Sequence, residues 1–207
     1  MSGVPVVVQY LAEGLLEKGY DVSICTKWYE GLSDKENING IHVYRFRLRK
    51  TLMKRYVGEI DSYRKFVLSL NADVVIFECS ECVTTDVLLR NLSQIKGKKI
   101  FHSHGFSGMR LLPFKWNVNL KYTLGNTYNW FRFKIYYSFT LKKYIKQFDE
   151  TICLSEMDSS KVWLMKNAKK VNVLQNAVDD MFCETSKLIS YPVSYTHLRA
   201  HETTLHL

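Results

Sequence analysis

His102-Ser103-His104 closes one apolar run, Lys99-Ile100-Phe101, and Glu78 closes another, Asp73-Val74-Val75-Ile76-Phe77. Both runs have the length and composition of buried strands. Open α/β sheets bind ligands at the carboxyl ends of their strands, so His104, in the turn leaving its strand, is the first candidate for substrate contact. His102, two residues earlier, points the same way if the strand reaches that far. A structural histidine, capped or in the core, is the competing reading. Cys79-Ser80-Glu81-Cys82 follows the first run directly, and CxxC beside HxH raises a two-cysteine, two-histidine zinc site. The one-residue histidine spacing and the alternation of a strand both argue against four ligands meeting at one ion, so no metal is expected. Gly3 precedes a helix start, where a glycine lets backbone amides approach a phosphate and the helix dipole favours negative charge; a plain helix entry is the alternative.

The elements that must hold these groups follow from periodicity. Val4, Val7, Val8, Leu11 and Leu15 keep helical spacing despite their β-propensity, with Pro5 in the first turn and Gly19 as the stop, which predicts a helix over 4–18. A short strand is expected over 20–26. Another is expected over 41–49, where Tyr44, Phe46 and Leu48 alternate with Arg45, Arg47 and Arg49, which gives it one wet face. Helices are expected over 57–70, 83–95, 127–147 and 156–167, the last capped by Ser155. Strands are expected over 73–78, 99–102, 151–154 and 171–175. Short apolar strands alternating with helices predict βαβ units, hence a doubly wound, mostly parallel α/β sheet covered on both faces. Such a domain opens with a buried strand before its first glycine turn. This chain starts at the turn, so a missing first strand is expected.

Bulk properties narrow the class. The 207 residues carry 46% hydrophobic side chains, enough for one domain with a sizeable core. No run approaches the roughly 18 to 20 apolar residues that cross a bilayer, and no signal-peptide pattern is present. Five scattered cysteines do not form a disulfide framework and fit a reducing compartment, so the expected location is the cytoplasm. The formal net charge is +9 and it is unevenly spread. No acidic residue lies between Asp86 and Asp149, while lysines and arginines run from Arg90 to Lys146, which points to an anionic partner. Over 109–146 these cations interleave with Trp116, Tyr122, Tyr128, Trp130, Phe131, Phe133, Tyr136, Tyr137 and Phe139. That mixture suits peripheral docking on an anionic membrane, at the inner face of the cell membrane. The bland alternative is a core of aromatics under a solvated face of lysines. Nucleic acid is the weaker candidate, because no nucleic-acid-binding signature accompanies the charge.

Val171-Asn172-Val173-Leu174-Gln175 passes into Asn176-Ala177-Val178-Asp179, a strand followed by a turn. Residues 183–207 show no periodicity and resemble translated adapter sequence, so the tail and its His197, His201 and His206 are set aside from the fold.

Together, Ser2-Gly3-Val4-Pro5, the passage Leu11 to Val22, Phe101-His102-Ser103-His104-Gly105 and Val173 to Asp179, in this order over residues 1–182, resemble the N-terminal domain of a family 4 glycosyltransferase with the GT-B fold. The resemblance implies two Rossmann-like domains facing a cleft, with the acceptor held mostly by the first and a nucleotide-sugar donor mostly by the second. It implies transfer of a hexose or similar sugar from a nucleotide diphosphate to a glycan or lipid-linked acceptor, as in polysaccharide biosynthesis, with no cofactor. It places Gly3 near the donor phosphate, His104 at the transferred sugar, with His102 the less favoured substitute, and Glu78 or Glu81 at the acceptor. The family's donor-side pair of glutamates has no counterpart here, so the domain is expected to be inactive without a C-terminal partner domain. The alternative function is a non-catalytic basic and aromatic module for anionic lipid or nucleic acid.

Overall fold

The structure, a computed structural model, describes residues 3–51, 55–110, 120–158 and 160–176. The coda beyond Asn176, the tail at 183–207 and residues 111–119 of the basic aromatic segment lie outside the described residues.

Helix α1 (Val4–Glu17) forms where the apolar spacing places it, with Pro5 in its first turn. Proline costs nothing there, because its missing N–H would be an orphan at a helix start. Gly19 and Tyr20 return their N–H groups to Leu16 and Leu15 and end the helix. Ala12 packs on Ile41 and Val43, anchoring α1 to a three-stranded sheet of order β1-β3-β2: β1 (Ser23–Lys27), β2 (Lys35–Ile38) and β3 (Ile41–Phe46). β1 runs parallel to β3 and β2 antiparallel to it.

β3 corrects the expected wet face. Ile41, Val43 and Arg45 are its buried residues, while Tyr44 and Phe46 meet Phe66 and Tyr63 of helix α2 (Ile60–Ser69) on the other side. Both faces are therefore covered. Arg45 tolerates burial because Glu36 pairs with its guanidinium and the Ser33 carbonyl accepts from Nη1 at 3.0 Å. The strand also ends earlier than its alternation suggests. Arg47 donates its N–H to Glu59 at 2.6 Å and accepts from the Glu59 N–H, which breaks the run and starts a hairpin of β4 (Leu48–Lys50) and β5 (Tyr56–Gly58) ahead of α2.

The second sheet carries the strand ends of interest. Its order is β6 (Val74–Glu78), β7 (Lys98–Ser103), β8 (Glu150–Cys153), β9 (Val171–Val173), all parallel. The β6–β7 crossover is a short helix, α3 (Val83–Asp86), and a 3₁₀ segment, Leu89–Gln94, rather than one helix over 83–95. The β7–β8 crossover is α4 (Leu120–Ile135), a π-helical stretch Tyr136–Leu141, α5 (Lys142–Tyr144) and a final 3₁₀ turn. The last crossover is α6 (Lys161–Asn167), whose start corrects the expected Ser155 cap. Asp158 takes the Ser160 N–H and hydroxyl, each at 2.7 Å, and so satisfies the helix entry five residues later than Ser155 could.

Phe148 meets Phe77 edge-on and Phe101 at a tilt at the centre, with Leu89, Leu92, Phe106, Leu141 and Leu164 around them. Cys25 and Phe46 of the first sheet pack against the same cluster, so the two sheets share one core. Among the described residues no strand pairs with the outer edge of β1 or of β6. The domain is an α/β, Rossmann-like doubly wound fold.

Candidate functional site

β6 and β7 pair in parallel register, with Glu78 opposite His102. This brings a carboxylate and an imidazole side by side at the carboxyl end of the sheet. Strand alternation turns Ser103 to the other face, where its hydroxyl meets that of Ser160 at 2.9 Å, and returns His104 to the side of His102. Gly105 then leaves the strand at φ 87°, a left-handed turn that glycine adopts without strain, and its N–H reaches back to the Ser103 hydroxyl at 3.3 Å.

The result is a three-residue cluster. Glu78 Oε2 lies 2.7 Å from His104 Nε2 and 3.0 Å from His102 Nδ1, and the two imidazole centroids are 4.4 Å apart. An ionised carboxylate only accepts, so each of those ring nitrogens carries the proton and donates. Burial alone would push the Glu78 carboxyl up, but the hydrogen bonds from His102 and His104 and their charge outweigh it and hold it below the usual range. His102 is 5% exposed, and its Nε2 is buried with no hydrogen-bond partner. Chemically the cluster presents imidazoles whose orientation and tautomer are set by a fixed anion, an arrangement suited to hydrogen-bonding hydroxyl groups.

The same three groups lie within 4.8 Å of one another, close enough to share an ion. The cysteines of the zinc reading are not among them. Cys82 Sγ turns to the carbonyls of Glu78 and Cys79, at 3.4 and 3.7 Å. Burial raises both thiols, which opposes the thiolate form a zinc site needs.

Beyond β6 the chain bends through Cys79 and Glu81, both left-handed at φ 64°. For non-glycine residues this costs about 1 kcal/mol or more each. The turn is held from several sides: the Cys79 N–H bonds the His102 carbonyl at 3.0 Å, Thr85 Oγ1 the Glu78 carbonyl at 3.2 Å, and Tyr63 the Thr84 carbonyl at 2.9 Å. Glu81 thereby faces a different environment from Glu78. Burial pushes its carboxyl up to about 7, against the pull of the Gly108 backbone and the Arg132 charge. Next to it, Asp86 accepts from the hydroxyls of Tyr56 and Tyr136, both at 2.6 Å. Burial raises Asp86, and those two hydrogen bonds only partly oppose the rise. The Glu81 N–H reaches the Tyr136 oxygen at 3.4 Å, and Lys50 donates to the Glu81 carbonyl at 3.5 Å.

Of the residues singled out in the sequence, Glu78, His102 and His104 come together, Glu81 lines a neighbouring cluster, and Gly3 opens α1 over the other sheet. Gly3 has φ 85° and no side-chain cap. Val6 and Val7 already donate to its carbonyl and Pro5 has no N–H, so an anion at that end would draw on the Val4 N–H and the helix dipole. Sequence reasoning missed Asp86, Tyr56 and Tyr136 as a unit. Tyr136 lies within the basic aromatic segment and packs on the core together with Phe133, Tyr137 and Tyr144.

A family model described as Glycosyltransferase Family 4 matches residues 1–182 of the chain. No match is found among curated proteins or among solved structures. No helix among the described residues is long and apolar enough to cross a membrane.

Proposed function

Because the chain belongs to glycosyltransferase family 4, we propose that it is the acceptor-side half of a two-domain enzyme, which moves a sugar from a nucleotide-diphosphate donor to a hydroxyl of a glycan or lipid-linked acceptor. The observation that carries this reading is the Glu78–His102–His104 cluster at the ends of two neighbouring parallel strands, where open α/β sheets take their ligands.

In this reading Glu78 fixes the two imidazoles, and His104 hydrogen-bonds the transferred sugar. Glu81, with a carboxyl titrating near neutrality, holds the acceptor hydroxyl and can take its proton, since a base is most effective when its pKa lies near the working pH. The leaving diphosphate carries the developing charge, and preorganised positive groups stabilise it. On this domain the start of α1 at Gly3 is the matching element. The donor is held mostly by a second domain, so this domain alone does not turn over.

The test uses the enzyme with its donor-binding half restored. His104→Ala is expected to lower kcat/KM by about 100-fold or more while the melting temperature stays close to that of the unmodified enzyme. An unchanged rate would overturn the assignment.

A further inference from the structure

Glu78, His102 and His104 each bring one ligand atom to the same spot, and the three atoms lie within 4.8 Å of one another. Ligands about 2.0 to 2.2 Å from a four-coordinate transition ion stand about 3.3 Å apart. Glu78 Oε2 is 2.7 Å from His104 Nε2 and 3.0 Å from His102 Nδ1, so a shift of a few tenths of an ångström opens the trio around such an ion. The backbone already holds the three in place. Glu78 lies opposite His102 in the β6–β7 register, alternation returns His104 to the same face, and Gly105 ends the strand immediately after it at φ 87°.

Charge favours a cation there. The Glu78, His102 and His104 side chains are only 18%, 6% and 8% exposed, and a buried carboxylate is normally paired with a cation or bound to a metal. Among the described residues, however, the ion-pair partners of Glu78 are the two imidazoles, which carry charge only when protonated. A bound metal ion supplies that charge without a proton. The donor set then selects the ion. Two imidazole nitrogens with one carboxylate oxygen suit zinc-class ions, whereas Mg²⁺ and Ca²⁺ prefer shells of oxygen. Three protein ligands also leave a coordination position open, here at the carboxyl ends of β6 and β7.

We propose that Glu78, His102 and His104 form a binding site for one divalent transition-metal ion of the zinc class. Binding goes beyond the sugar-transfer reading and does not depend on it. Its consequence does rest on that reading: an ion in this place occupies the imidazoles assigned to the sugar and so holds the enzyme off.

The test titrates the 207-residue chain with Co²⁺ as a spectroscopic probe and Zn²⁺ as its competitor. The parent for this test carries His197→Ala/His201→Ala/His206→Ala, which removes the imidazoles of the tail. It is expected to take up one Co²⁺ per chain, with the visible absorption of a four- or five-coordinate ion and no thiolate-to-cobalt charge-transfer band. One equivalent of Zn²⁺ is expected to displace the cobalt, and Mg²⁺ in about 100-fold excess is not. Glu78→Gln and His104→Ala are each expected to weaken uptake by about 100-fold or more, since loss of a ligand's outer partner alone costs about 10- to 100-fold. Should these variants fail to fold, NMR of the cobalt-loaded parent decides, with the ring protons of two imidazoles expected to be shifted by the ion. The proposal is overturned if no ion is taken up one to one, if Mg²⁺ displaces it, if a thiolate band appears, if the ligand variants bind as the parent does, or if fewer than two imidazoles are shifted. Uptake is read without turnover, so its failure is distinct from a failure of the sugar-transfer reading.

Discussion

Glu78 and Glu81 stand three residues apart on one turn, yet the fold gives them opposite chemistry. Glu78 is met by two imidazole N–H groups and is held below the usual carboxylate range. Glu81 is half-buried beside a second desolvated carboxyl, Asp86, and rises to about 7 although the Gly108 backbone and Arg132 pull it down. Both carboxyls are desolvated, so burial alone does not separate them. Two imidazole donors and their charge outweigh burial at the first, whereas a backbone donor and the Arg132 charge do not at the second. One turn thus carries a fixed anion that orients neighbours and a group able to exchange a proton near neutrality.

The largest break in this comparison comes from Glu78. Glu78→Ala leaves the His102 and His104 N–H groups buried without an acceptor and is expected to cost about 3 kcal/mol of unfolding free energy, read by denaturant titration near pH 7. Its pH dependence has a definite sign. The folded-state pKa is depressed, so the stabilisation is present above the unfolded value, 4.5, and is lost as pH falls through the lower folded value. Glu78→Gln should therefore flatten that acid limb, and an unchanged limb would show that the two histidines do not hold the carboxylate.

Glu81→Gln should act in the other direction. Its carboxyl is raised from 4.5 to about 7, so the folded state binds the proton more tightly than the unfolded chain between those values. Burying Glu81 thus costs nothing below the lower value, and the cost grows to its full size above the upper one. The glutamine variant is expected to match the parent in acid and to exceed it above neutrality by about 2 kcal/mol, after allowing for partial solvent screening. Equal stabilities at pH 8 would contradict the buried setting of Glu81. The smallest change is Tyr136→Phe, which removes one of the two hydroxyls on Asp86 and is expected to cost about 1 to 1.5 kcal/mol. It should also move the Asp86 carboxyl further up, a shift that side-chain carboxyl NMR would detect.

Much of this was legible in the sequence because it depends on local order. The spacing of Val4, Val7, Val8, Leu11 and Leu15 marks a helix against their β-propensity, and α1 forms there. Apolar runs ending in Glu78 and His102 mark parallel strand ends, and register brings their side chains together. Where local signals failed, a distant partner had won. Arg45 reads as solvent-facing by alternation but is buried through Glu36 and the Ser33 carbonyl. Asp158 takes over the helix entry that Ser155 could have capped. The basic aromatic segment reads equally as a docking surface or as core aromatics under a solvated face, and the fold divides it into core residues such as Tyr136 and exposed ones such as Phe131.

Periodicity by itself determined the α/β class, most strand and helix positions and the strand-end placement of Glu78, His102 and His104, because each depends on side chains within one or two turns of each other. Only the tertiary structure decided the ionisation of the two glutamates and the gathering of Tyr56, Asp86 and Tyr136, whose hydroxyls come from 30 and 50 residues away. A carboxyl's charge state is a balance of desolvation and hydrogen bonding, and both terms are supplied by groups that only the folded chain brings within reach.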